Sequence, residues 1–193
     1  ESGSQDRPLV APAPVETGSA SWYSSLPLVQ IHYNECIGAQ LRSLLGAAQF
    51  SVRLTCYTLD DFFSPEMTAL LVRLNQKGRA GSVRILIDAS QAHKPSSWGQ
   101  KKMMIQMSAW GAQIKTATGR GTVRSGLLHE KSWLIDDAVA VLGSANATYN
   151  SMELCREVML TITEPEVVSL QAAHFDELWT VSDDAERALV KLT

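Results

Sequence analysis

The chain has 193 residues, 45% of them hydrophobic and 19% charged, with a formal net charge of −3. That length holds one domain with a sizeable core, and the composition is that of an ordinary soluble globular protein. No run approaches the length of a membrane span.

The small net charge hides a segregation. Positions 73–131 carry eleven Lys or Arg against two acids, whereas positions 1–72 and 132–193 are both acidic. A basic block of this kind suggests attraction for a polyanion, and solvated helix faces are the plain alternative. Cys36, Cys56 and Cys155 are widely spaced and form no CxxC pair. The spacing argues against a zinc site or a disulfide framework. It favours buried free thiols and a reducing compartment. No secretory signal is visible, and the start at Glu1 leaves a removed leader open.

Residues 1–25 read as a disordered arm, rich in Pro, Ser, Gly and Ala, ahead of a single domain over 26–193. Leu26 to His32 is a short strand. Asn34 is placed to cap a helix with Ile37, Leu41, Leu44, Leu45 and Ala48 at helical spacing. Phe50 to Thr58 alternates as a strand does. Ser64-Pro65-Glu66 opens the next helix, with Ser64 as cap, Met67, Leu70, Leu71 and Leu74 as its apolar stripe, and Gly78 as its stop. Ser82 to Asp88 is nearly all apolar, as a central strand covered on both faces would be. Asp88 at its end either caps the next loop or meets a ligand.

Positions 91–100 read as a loop, whose His93-Lys94 looks like a surface pair. Lys101 to Trp110 is a helix with Met103, Met104, Met107 and Trp110 inward, and Ala112 to Thr116 is a strand. Thr118 to Gly126 is a glycine-rich basic loop in which Arg120 and Arg124 are candidates for phosphate contacts. Cys155 to Thr163 is a further strand. A last helix after Pro165 has Val167, Leu170, Phe175 and Leu178 inward. His174 lies on that helix and reads as structural, without a partner in the motif described next. Strands alternating with helices indicate an α/β fold, a mixed β-sheet flanked by helices on both faces.

Between the basic loop and that strand lies the most informative stretch, 127–157. His129 and Lys131 are two residues apart, so in a strand they project from the same face. Trp133 to Ile135 continue the run, Asp136-Asp137 forms a turn, and Ala138 to Leu142 returns as a second strand. A hairpin of this shape brings Gly143-Ser144-Ala145-Asn146 back beside His129 and Lys131. The resulting cluster holds a titratable nucleophile or base, a fixed cation and two neutral polar groups. Such a set suits a phosphate. Asp136 either belongs to that set or only closes the hairpin.

His129-x-Lys131, then Asp136 after four residues, then Gly143-Ser144-x-Asn146 after six more, resembles the signature of the phospholipase D superfamily. Glu157 stands where small nucleases of that family carry a glutamate that orients the histidine. The resemblance spans about Leu28 to Trp179 and implies the family's α/β fold.

Members of that family place two HxK units around one phosphodiester, and this chain has one. The resemblance therefore implies a homodimer with one shared site. In it one His129 attacks phosphorus to form a phosphohistidine, and the other protonates the leaving oxygen. Lys131, Ser144 and Asn146 would hold the phosphate oxygens, and Glu157 the second imidazole N–H. No cofactor and no metal is implied. The basic block favours nucleic acid, as the substrate of an endonuclease acting on single strands. A phospholipase, cardiolipin hydrolase or phosphatidyl transferase acting on membrane lipid is the enzymatic alternative. A catalytically silent nucleic-acid-binding module is the third reading.

Overall fold

The computed structural model describes residues 22–92, 98–120 and 126–184. Eight strands, β1 (Val29–Tyr33), β2 (Val52–Cys56), β3 (Val83–Asp88), β4 (Gln113–Ala117), β5 (Ser132–Ile135), β6 (Val139–Gly143), β7 (Val158–Ile162) and β8 (Asp183–Asp184), form one sheet. Their order is β1-β7-β6-β5-β2-β3-β4-β8. The β2, β3 and β4 strands run parallel, and every other pairing is antiparallel. Among the described residues five α-helices accompany them: α1 (Glu35–Ala47), α2 (Ser64–Gln76), α3 (Ala89–Ala92), α4 (Trp98–Ala109) and α5 (Pro165–Val181).

The main core lies between α1, α2 and α4 and one face of the sheet, where Leu41, Leu45, Leu71 and Met104 meet Val52, Leu54, Ile85 and Trp133. The α5 helix covers the opposite face. Its Val168 packs on Leu134, Ala140 and Ile162, and its Phe175 on Leu86 and Leu128. The flanked mixed sheet expected from the sequence is thus present.

Several local expectations change. Residues 22–25 form a 3-10 turn, and Trp22 and Tyr23 pack against the main core, so the arm does not reach residue 25. Asn34 occupies the cap position of α1 but makes no side-chain cap bond. Its carboxamide oxygen instead accepts the Glu157 N–H at 3.1 Å. Ser64 begins α2 without capping it, because Asp60 caps the preceding 3-10 turn through Phe62 N. Trp110 is exposed, since the helix has already ended at Ala109. In α5 the buried position is Val168 and not Val167. Part of 91–100 is helical, and His93 and Lys94 lie outside the described residues. Among the thiols only Cys56 is buried; Cys36 is exposed and Cys155 half-buried.

Among the described residues, several cations of the basic block face protein groups. Arg73 donates to the carbonyls of Leu45 and Ala48, and Arg84 pairs with Asp176. Arg79 lies over Phe50 and Lys115 over Trp179. Arg84 and Lys115 hold α5 to the sheet, and Arg73 holds α2 to the end of α1.

Candidate active site

Topology gathers the candidate residues at one end of the sheet. The exits of β2, β3 and β4 lie there, as ligand sites of α/β sheets do. Antiparallel pairing places the entry of β5 beside the exit of β2, with Thr55 opposite Ser132. The exit of β6 and the entry of β7 meet at the same end, with Gly143 opposite Met159. His129, Lys131, Ser144, Asn146 and Glu157 all lie on these exits and entries. Gly143 is required by this crowding: a Cβ there would lie 2.1 Å from the Val158 carbonyl oxygen.

The HxK stretch is not in a regular strand. Residues 126–131 are irregular and β5 begins at Ser132. Two bonds fix the segment instead. The Leu128 N–H donates to the Asp88 carboxylate at 2.8 Å, and the Gly143 N–H donates to the Lys131 carbonyl at 3.2 Å. Asp88, itself buried, also takes the N–H groups of Ser90 and Gln91 at the start of α3.

His129 is exposed, with its ring tilted against Tyr57 at a centroid separation of 5.2 Å. Lys131 is 7% exposed. Its ammonium donates to the His129 carbonyl at 2.5 Å and sits 5.7 Å from the Tyr57 ring centre. Burial lowers its pKa from the usual lysine value, while the charge of Glu157 and the thiol of Cys56 act the other way. Cys56 is the converse case: burial pushes its thiol up to about 12.

Asn146 accepts the Thr58 N–H through Oδ1 at 3.3 Å. A backbone donor must face the oxygen, so the Nδ2 donor is left pointing away from it. The Ser144 hydroxyl donates to the Glu157 carboxylate and accepts the Val158 N–H at 3.1 Å. Glu157 therefore braces Ser144 and not the imidazole, to which it makes no hydrogen bond. Among the described residues, no group of three or more His, Cys, Asp and Glu side chains converges as a metal site requires.

Asp136 is not brought to this cluster. It sits in the β5–β6 turn, at the other end of the hairpin, with φ 56°. Its carboxylate accepts the backbone N–H groups of Gln49, Phe50 and Ser51 at 2.7, 2.7 and 2.9 Å, and the Trp22 indole at 3.2 Å. It closes the turn and clamps the entry of β2. Arg120 is exposed three residues beyond β4, at the site end of the sheet, and Arg124 lies outside the described residues. Two groups near the motif were missed from sequence. Tyr57 leaves the exit of β2 toward His129, and its hydroxyl accepts from Gln91 Nε2 at 2.6 Å. His174 does have a partner in the motif, Glu130.

The family model for "Cardiolipin synthase, PLD-like domain" matches residues 41–179. The chain belongs to the phospholipase D-like family. Members of this family are phosphodiesterases. The chain is 27% identical to the mitochondrial cardiolipin hydrolase of Xenopus laevis over 159 residues, which is 80% of this chain and 66% of that protein. It spans less than two thirds of the length of each curated relative it matches. Among solved structures it resembles Nuc from Salmonella typhimurium, a phospholipase D family member, with TM-score 0.66 and 20% identity over 81% of this chain and 96% of Nuc. NucT from Helicobacter pylori gives TM-score 0.66 and 16% identity over 81% of this chain and 99% of NucT. At such identities these two structures establish the phospholipase D-like fold and nothing finer.

Proposed function

We propose that this chain is a metal-independent phosphodiesterase whose active site is shared by two copies of the chain, and that it cleaves single-stranded nucleic acid. The observation that carries the reading is the cluster of His129, Lys131, Ser144 and Asn146 at one end of the sheet. It holds one imidazole, whereas in-line displacement at phosphorus needs both a nucleophile and an acid for the leaving oxygen. A second copy supplies the missing imidazole.

One face of β1 supports that pairing. Val29, Ile31 and Tyr33 alternate onto that face and are all exposed, and Val158 lies opposite Tyr33 at the site end of the strand. An apolar edge strand left bare is a hazard unless something covers it. A twofold copy seated there would bring a second His129 toward the first.

In the reaction, one His129 ring nitrogen forms a bond to phosphorus as the leaving oxygen departs. The partner's His129 gives that oxygen its proton, then takes one from the water that breaks the phosphorus–nitrogen bond. The Lys131 ammonium and the donors of Asn146 and Ser144 stabilise charge on the non-bridging oxygens. Glu157 holds Ser144 and offsets the charge of Lys131. Arg120 contacts a flanking phosphate, and Tyr57 offers a ring face at the site.

A lipid phosphodiester is the second reading. It is favoured by an apolar rim: Leu127, Tyr149 and Leu154, each within three residues of a site residue, are exposed, Leu154 by 67%. Labelled single-stranded DNA and RNA, and vesicles containing cardiolipin, should be assayed side by side with and without EDTA. Cleavage of a single strand that survives chelation is the expected result. Turnover of lipid alone would replace the substrate, and a requirement for a divalent ion would overturn the mechanism. Binding of nucleic acid without turnover would leave only a binding module.

A further inference from the structure

The middle residue of the HxK segment is gripped from the far side of the sheet. His174 Nε2 on α5 lies 3.0 Å from both carboxylate oxygens of Glu130. One turn earlier on the same helix face, Gln171 Nε2 donates to Ser132 Oγ at 3.2 Å. Residues 171 and 174 are i and i+3 on a helix, and residues 130 and 132 are i and i+2 in extended chain, so both pairs are same-face neighbours. The helix thus holds the two residues that alternate with His129 and Lys131. Because 126–131 is irregular, no sheet ladder sets its twist before Lys131.

We propose that His174 is a positioning residue for the reaction. Through Glu130, and with Gln171 through Ser132, it sets the rotation of the 129–131 segment and so the direction in which His129 and Lys131 project. The proposal rests on His129 being the reacting group of the proposed function.

The pair is strongest when His174 is protonated. Its pKa is raised, first by the hydrogen bond to Glu130, with the charges of Glu130 and Glu177 adding and burial opposing. The other charged groups on the neighbouring elements are engaged elsewhere. Arg53 and Arg84 pair with Asp137 and Asp176, and Lys115 with the Trp179 carbonyl and ring. The grip is therefore full below the ordinary histidine range and is lost as pH rises through the raised value.

The test uses His174→Gln, His174→Lys, Glu130→Gln and the double variant His174→Gln/Glu130→Gln. His174→Gln is expected to lower kcat about three- to tenfold with KM little changed, the size expected from slight misplacement of a reacting group. His174→Lys, a permanent cation in this range, should keep wild-type kcat and hold it to higher pH. The double variant should be no worse than either single one. Wild-type kcat and pH profile in His174→Gln, or fully additive losses, would overturn the proposal. A readout independent of turnover is the NMR signal of the His129 ring. It should move in His174→Gln and return toward wild type in His174→Lys. If no phosphodiester is turned over, the proposed function fails while this measurement still decides the positioning: an unmoved ring signal in His174→Gln refutes it.

Discussion

The carboxylate of Asp88 accepts the backbone N–H of Leu128 at 2.8 Å, which ties the end of β3 to the residue before His129. The same carboxylate receives Ser90 N and Gln91 N, so it sets α3 and the HxK segment against one another. Replacing it by Ala leaves these donors without their acceptor. The expected loss is about 2 kcal/mol or more of stability, read by urea unfolding, and about tenfold or more in kcat. Asp88→Asn keeps one acceptor but turns an N–H₂ toward a donor, so an intermediate loss in both measurements is expected.

Asp136 separates structure from chemistry. Four donors converge on one buried carboxylate at the end of the hairpin away from His129. Asp136→Ala should cost more than about 3 kcal/mol, because charged hydrogen bonds to backbone are lost and their donors stay buried. The kcat of the fraction that remains folded should be close to wild type. A large fall in kcat at unchanged stability would return Asp136 to the reaction.

Burial acts in opposite senses on Lys131 and Cys56, in each case against the charged form. The ammonium of Lys131 is lost at a lower pH than that of an ordinary lysine. Activity that depends on it should fall as pH rises through that lowered value, earlier than an exposed lysine would allow, and Lys131→Met should abolish kcat at every pH. The Cys56 thiol, pushed up to about 12, stays neutral near pH 8. Mass spectrometry after brief alkylation at that pH should find the exposed Cys36 labelled and Cys56 untouched. Early labelling of Cys56 would mean that the wall behind Lys131 opens.

The pattern of elements was legible because each strand and helix carries its own period. The hairpin with Asp136-Asp137 at its tip is a local feature, and so are the apolar stripes of α1 and α2. What was not legible joins residues far apart in the chain. Ser144 and Glu157 both stand out in the sequence, yet the contact between them, and not one from Glu157 to His129, depends on how β6 and β7 align. His174 reaches Glu130 across 44 positions and Arg84 reaches Asp176 across 92. A run of positive charge along the sequence therefore said little about the surface, since much of it faces carboxylates, carbonyls and rings elsewhere. Val167 and Val168 could not be told apart because α5 is apolar on most sides of its first turn.

The bare face of β1 gives a test of pairing that leaves the chemistry intact. Ile31 is 56% exposed and lies two residues before Tyr33, on the same face. Ile31→Glu should fold, since the carboxylate points to solvent in the single chain. It should shift the chain from dimer to monomer by light scattering and lower activity in step with the dimer fraction. A fully dimeric and active Ile31→Glu protein would place the partner on another face.

The shared site itself is tested by mixing. If each dimer builds one site from two His129 side chains, His129→Ala removes nucleophile and acid together. The variant should still fold and pair, because an exposed side chain at an open site contributes little to stability. Wild type and variant are mixed in equal amounts under conditions that allow exchange of subunits. Random pairing leaves about a quarter of the dimers with two histidines. A mixed dimer keeps one, so it lacks either attack on phosphorus or protonation of the leaving oxygen and turns over poorly. Activity per wild-type chain should then fall to about half of its unmixed value. Complete sites in each chain predict no fall. A tag on one partner confirms that exchange has occurred, and the ratio then distinguishes one site per dimer from one site per chain.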